Sequence, residues 1–208
     1  VFWLSVGLIV YVYAGYPVLL GVWARLVTLR ARRHGHDGPR RPTPALPPVT
    51  VIIAARNEAH RLPARIENLL ASAYPRDRIQ IVVASDGSTD NTIDALAPYA
   101  RSVDLVLLPP GGKARALNAA VARARHPVLV FADARQRFAP DTIRRLVRHF
   151  ERLSVGAVSG ELVLDCESGH GGSTIGDGVG AYWKYEKWLR RREAIVGSTL
   201  GVTGAVYA

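Results

Sequence analysis

The 208-residue chain has no methionine, one cysteine and three lysines. A single cysteine, Cys166, excludes an intrachain disulfide and leaves the redox compartment open. Cys166 and His170 are two metal-capable side chains, too few for a zinc site, so Cys166 reads as an inert thiol in a loop. Lysine is scarce, yet the formal net charge is +10, carried mostly by arginine. Half of that excess precedes residue 42, where Arg25, Arg30, Arg32, Arg33, Arg40 and Arg41 face Asp37 alone. The remainder is spread thinly over a much longer stretch. No basic stripe interleaved with aromatics is found there, which argues against nucleic acid as a partner. The chain opens on Val1 and lacks methionine, so it reads as a fragment of a longer protein. No internal repeat is evident.

The first 24 residues lack charge altogether. A bilayer core takes about 20 apolar residues as a helix, so residues 1–27 are expected to cross a membrane. Trp3, Tyr11, Tyr13, Tyr16 and Trp23 are scattered along the run, and rings near its ends suit the headgroup level. Gly15 and Pro17 are expected to kink it. A cleaved signal peptide would carry its basic residues before a shorter apolar run; here the arginines follow a long one. The same arginines put the following region in the cytoplasm by the positive-inside rule. Residues 28–48 form a basic, proline-rich linker, ending in Arg-Arg-Pro-Thr-Pro-Ala-Leu-Pro-Pro.

From residue 49 the pattern alternates. Val49–Ala54, Ile79–Ala84, Val103–Leu108 and Pro127–Ala132 are short apolar runs of the kind buried in parallel sheets. Between them, helical periodicity is expected over Glu58–Ala73, Asp90–Ala100 and Lys113–Arg125, and again over Pro140–Arg152. Val155–Leu164 is expected to add one or two strands, Cys166–Gly180 to be a loop, and Val179–Glu193 to be a helix with an aromatic cluster. The fold class is therefore α/β, a mostly parallel Rossmann-like sheet with helices on both faces, preceded by one transmembrane helix.

Ligands of such sheets bind beyond the carboxyl ends of the strands. Ala55-Arg56-Asn57-Glu58 follows the first strand, Ser85-Asp86-Gly87-Ser88-Thr89-Asp90 the second, and Asp133-Ala134-Arg135 the fourth. Each residue has a plainer reading when taken singly. Asp86 suits an Asp-Gly turn, Glu58 a helix's first turn, Asp133 a cap, and Lys113 a solvated charge. Acids at successive strand ends, two with an arginine nearby, point instead to one rim that binds a charged ligand. No Gly-x-Gly-x-x-Gly follows the first strand, which disfavours a dinucleotide fold. Gly112-Lys113 looks like the end of a P-loop, but Leu107 and Ala114 occupy its first-glycine and hydroxyl positions.

These residues resemble family 2 glycosyltransferases of the GT-A type. Val51–Glu58 looks like the family's opening strand and loop, and Ser85–Asp90 like its acid-Gly-Ser-x-Asp motif. Gly112-Lys113-Ala114-Arg115-Ala116-Leu117-Asn118 looks like its Gly-Lys…Leu-Asn segment. Phe131–Arg135 stands in the place of its metal-binding Asp-x-Asp. The resemblance implies that residues 49–208 are a GT-A domain, incomplete at its C-terminus. It implies metal-assisted, inverting transfer from a nucleotide-diphosphate sugar, first of all a UDP-sugar, to a lipid, polysaccharide or other glycan acceptor at the membrane. Ala55, Arg56 and Glu58 would line the nucleoside pocket and Asp86 would recognise the base. Lys113 would lie near the sugar or diphosphate, and Asp133 would hold Mg²⁺ or Mn²⁺. Arg135 replaces the motif's last acid, and its planar fork suits direct contact with phosphate.

The family's catalytic base is expected beyond Ala208; within the chain Glu161 and Glu186 are weak candidates, the latter spaced to pair with Arg190. A membrane-tethered sugar-nucleotide-binding module without transfer is the alternative. A nucleotidyltransferase is disfavoured because the loop after the first strand has no glycine.

Overall fold

The computed structural model describes residues 1–33, 46–161, 174–197 and 206–208, with the backbone alone for 33 and 174–181. Cys166, His170, Arg40, Arg41 and most of the expected linker lie outside the described residues. The chain divides into two compact units, Val1–Asp37 with Leu164–Gly201, and Gly38–Val163 with Val202–Ala208.

In the first unit, α1 (Phe2–Val10), a wide turn (Tyr11–Gly15) and α2 (Tyr16–Arg33) form one helical run. Phe2–Arg32 is long and apolar enough to cross a membrane, with mean hydropathy 1.7 over its most apolar stretch. Phe2, Trp3, Leu4 and Leu8 are all exposed. Tyr11–Gly15, just before Pro17, is a π turn. Pro17 has no N–H to return to the preceding turn, and a Cβ at Gly15 would meet the Tyr11 ring at 2.9 Å. α2 packs on α7 (Thr174–Val196). Leu20 and Ala24 are buried there, and the Tyr16 hydroxyl donates to Glu193 at 2.9 Å. α7 starts at Thr174, within the expected Cys166–Gly180 loop. Its glycines, Gly176, Gly178 and Gly180, mimic a loop in composition because glycine is a poor helix former, yet the backbone there is helical.

The second unit is built on a five-stranded sheet. Its strands are β1 (Val49–Ala55), β2 (Ile79–Asp86), β3 (Asp104–Leu108), β4 (Val128–Ala132) and β5 (Val206–Tyr207), in the order β3-β2-β1-β4-β5. β1 pairs in parallel with β2 and β4, β2 with β3, and β5 runs antiparallel to β4. Along β1, alternate residues serve opposite faces. Val49, Val51 and Ile53 pack with Leu62, Ile66 and Leu69 of α3 (Leu62–Leu70) and with Ile143 and Leu146 of α6 (Thr142–Val147). Ile52 and the β2 residues Val82 and Ala84 meet Ala116 and Ala120 of α5 (Lys113–Val121). Each such aliphatic side chain taken fully from water contributes about 1.5–3 kcal/mol. α4 (Thr92–Leu96) adds Leu96 to the first face. The expected two-faced sheet is found; the helices expected over Glu58–Ala73, Asp90–Ala100 and Pro140–Arg152 are shorter at both ends, while α5 begins at Lys113 as expected and ends early at Val121.

The strands expected in Val155–Leu164 do not form among the described residues 155–161. That stretch makes a short antiparallel contact with the end of the chain: Val158 and Ala208 exchange two hydrogen bonds of 2.8 Å, Gly160 N–H donates to the Val206 carbonyl at 3.0 Å, and Ser159 bridges Tyr207. A Cβ at Gly160 would lie 2.3 Å from Val206, so the approach depends on glycine. β5 itself has no sequence signal, because two residues cannot display a period.

Candidate active site

Strand order reverses between β1 and β4: β2 and β3 lie on one side of β1, β4 on the other. The crevice at such a reversal, beyond the carboxyl ends, is where open α/β sheets bind ligands. Both acid-bearing loops of interest open onto it, Ala55–Glu58 after β1 and Asp133–Arg135 after β4. Ala55 is buried in the last register pair with Ser85, and Arg56 is exposed just beyond.

Asn57 turns the first loop with φ 55°, a left-handed conformation that asparagine tolerates better than most residues. Its N–H donates to Ser88 Oγ at 3.1 Å, and its Oδ1 accepts from Thr89 N–H at 2.8 Å. Asp90 accepts from the N–H groups of Ala59 and Thr92, and Thr92 Oγ1 accepts from Glu58 N–H at 3.1 Å. The first two motifs are thus laced into one platform. The Thr92 hydroxyl bond, followed by these amides, holds the Asp90 carboxyl below its ordinary range.

Glu58 is buried and serves two arginines, Arg61 at 2.9 Å and Arg135 Nε at 3.1 Å. Burial alone would push its carboxyl up, but these two partners together outweigh it and hold it below the ordinary range. A depressed value adds stability above the unfolded pKa of about 4.3, and this is lost as pH falls through the folded value. We expect Glu58→Gln to lose about 1–2 kcal/mol at pH 6, since both guanidiniums are partly solvated. The gap between variant and wild type should close as pH drops below about 4, as read by denaturant unfolding at each pH. A constant gap across that range would exclude the ion pairs as its source.

Asp86 ends β2, 4% exposed. Its Oδ1 accepts from Gly111 N–H at 2.7 Å, and its Oδ2 from Gly112 N–H at 2.9 Å. The carboxylate thereby anchors the Gly111–Gly112 turn that launches α5 at Lys113. Gly112 has φ 89° and Gly87 φ 60°. A Cβ on Gly87 would also strike Pro110 at 2.4 Å, so the Asp-Gly pair lets the two loops touch. The resemblance gave Asp86 to the nucleobase; the geometry gives its carboxylate this anchoring duty as well.

Lys113 Nζ lies 3.7 Å from Asp133 Oδ2, and Asp133 Oδ1 accepts from Arg135 N–H at 2.9 Å. The third and fourth motifs therefore meet. No cluster of three or more His, Cys, Asp or Glu side chains that could hold a metal occurs among the described residues. Asp133 fits a hard divalent cation in one mode, as the single protein carboxylate beside phosphate oxygens, a common arrangement for Mg²⁺. Arg135 cannot ligate a cation and is tied to Glu58 instead. Glu186 pairs with Arg190, as its spacing foretold, and belongs to the other unit; Glu161 is exposed. Sequence reading missed Arg61 and the two amide donors, Gly111 and Gly112. A glycine pair before a helix is the available signal for the amides, and a basic residue three after Glu58 for Arg61.

A mannosyltransferase of Pyrobaculum calidifontis, solved with GDP-Man and Mn²⁺, superposes with TM-score 0.64 and 28% identity, over 92% of this chain and 54% of that one. Among curated proteins, a beta-monoglucosyldiacylglycerol synthase of Nostoc sp. is 29% identical over 150 residues, 69% of this chain and 31% of that protein. A poly-beta-1,6-N-acetyl-D-glucosamine synthase of Staphylococcus aureus is 28% identical over 116 residues, 54% of this chain and 28% of that protein. The chain thus spans about a third of the length of these curated relatives. The family model described as glycosyl transferase family 2 matches residues 50–193. With its doubly covered sheet and four motifs on one rim, the chain belongs to glycosyl transferase family 2.

Proposed function

We propose that this chain carries the donor site of a membrane-anchored, inverting glycosyltransferase that takes sugar from a nucleoside-diphosphate sugar, a UDP-sugar first of all. The observation that carries the reading is the meeting of Lys113, Asp133 and the Glu58–Arg135 pair at the β1/β4 reversal. That rim offers one carboxylate for a cation and two cationic side chains for phosphate. Asp133 would hold Mg²⁺ or Mn²⁺, which when bound neutralises charge on the leaving diphosphate. Lys113 then exchanges its contact with Asp133 for phosphate oxygens. Arg135, held through Nε by Glu58, presents the rest of its fork to the same phosphates. Asp86 keeps the Gly111–Gly112 turn in place beneath them, with the platform around Asn57 and Glu58 lining the nucleoside. The acceptor hydroxyl needs a general base; neither Glu161 nor Glu186 is assigned to that step.

The relatives' names include glycolipid and polysaccharide synthases, in keeping with a lipid or glycan acceptor. The apolar part of the Phe2–Arg32 helix would anchor the protein, with the arginines from Arg25 to Arg41 keeping the domain cytoplasmic. The test is a binding screen of UDP-, GDP- and dTDP-sugars with and without Mn²⁺. Arg135→Ala should weaken diphosphate binding by about 10-fold and nucleoside binding hardly at all. If Arg135→Asp instead tightens both metal and donor binding, Arg135 stands in for a metal ligand and the phosphate contact is wrong.

A further inference from the structure

One buried cation has no duty in the account so far. On the core-facing side of α3, Leu62, Ile66 and Leu69 are joined by Arg65, which is 2% exposed. Its Nη1 donates to Asn68 Oδ1 at 2.7 Å, while Nε and Nη2 have no hydrogen-bond partner. The guanidinium lies 3.9 Å above the centre of the Phe138 ring. Among the described residues it forms no ion pair with any carboxylate. Desolvation lowers its pKa to about 10, so it remains a cation at neutral pH.

Its neighbours are the far end of the Asp133 loop. Asn68 accepts from Phe138 N–H at 2.8 Å and donates to Phe138 C=O at 2.9 Å. Arg65 thus holds the asparagine that clamps Phe138 and also covers its ring. The loop between β4 and this clamp carries Asp133 and Arg135. The charge of Asp133 raises the Arg65 pKa, against the larger lowering by desolvation.

An unpaired buried charge with two orphaned donors is a poor way to stabilise a core. An apolar side chain of similar length at this position removes the desolvation cost and fills the same space. The compensating return is electrostatic. A fixed cation in a low-dielectric interior acts on anions beyond the surface more strongly than a solvated one, and needs no reorganisation when they arrive.

We propose that Arg65 is a positioning residue for the diphosphate: from beneath the Asp133–Phe138 loop it supplies a permanent positive field behind the phosphate rim. It touches neither donor nor metal, and the inference rests on the donor site proposed above.

The test compares the whole chain with its Arg65→Met and Arg65→Lys variants. Thermal unfolding is measured together with affinities for UDP, uridine, GDP and guanosine, each with and without Mn²⁺. For Arg65→Met we expect a Tm equal to or above that of wild type, a loss of about 10-fold or more in diphosphate affinity, and unchanged nucleoside affinity. Arg65→Lys, which keeps a cation but not the fork, should fall between the two. A Tm of Arg65→Met several degrees below wild type, or loss of its folding, would make Arg65 structural and overturn the inference. So would a stable Arg65→Met variant that binds diphosphate as wild type does. A wild-type chain that binds neither UDP nor GDP overturns the donor-site reading and this inference with it, so the two failures are told apart by wild type alone.

Discussion

In Asp133→Asn, the affinity for a nucleoside-diphosphate sugar in the presence of Mn²⁺ falls by about 100-fold, on the order of 3 kcal/mol, while affinity for the free nucleoside stays the same. The substitution preserves shape but removes the negative charge of the one carboxylate that fits a divalent cation on this rim. It also releases Lys113, which sits 3.7 Å from Asp133 Oδ2. A released lysine is free to meet phosphate directly, so binding without Mn²⁺ should be unchanged or slightly tighter. That opposition of signs is the useful feature. Isothermal titration of wild type and variant, with Mn²⁺ and with a chelator, reads both arms. Equal losses in the two arms would mean that Asp133 supports the loop rather than a cation.

Asp86→Ala is expected to damage both stability and binding. The carboxylate accepts charge-assisted bonds from the N–H groups of Gly111 and Gly112 at 2.7 and 2.9 Å. Bonds of this type contribute about 1.5–3 kcal/mol each, and they are not additive. A loss of about 3 kcal/mol is expected, which lowers Tm by roughly 6–12 °C in a protein of this size. Without its anchor the turn before α5 loosens and Lys113 leaves the rim, so diphosphate affinity drops by about 10–100-fold. Gly112 holds φ 89°, and losing the acid leaves its N–H without the Asp86 partner. Asp86→Asn keeps one acceptor oxygen and should recover part of the stability. A variant with unchanged Tm and weakened nucleoside binding would assign Asp86 to the nucleobase alone.

Much of the site is legible in the chain because its chemistry lies in contiguous motifs at strand ends. Asp86 ends a buried strand, Glu58, Asp133 and Arg135 follow such strands in loops, and Lys113 opens a helix. A β-branched run such as Val51-Ile52-Ile53 has few places to go except a sheet covered on both faces. What was less legible is who pairs with whom. Arg135 looks from the sequence like a phosphate ligand and in the fold is tied through Nε to Glu58, 77 residues away. Asp86, which the resemblance gives to the nucleobase, also accepts from the amides of Gly111 and Gly112. Arg65 lies in an amphipathic helix where a charged residue would ordinarily face water, and only its burial marks it out.

The sequence by itself determined the alternation of buried strands and amphipathic helices, the uncharged N-terminal run, and the order of the four motifs. Each of these is written in local composition and period, which act over a few residues. The tertiary structure alone decided the strand order that brings the ends of β1 and β4 together, and the two-residue β5 whose pairing has no period to read. It also decided the burial of Arg65 beneath the Asp133 loop. These outcomes depend on contacts between residues far apart in the chain. Burial, ion pairing and backbone pairing there outweigh local propensity, and no window of neighbouring residues contains both partners.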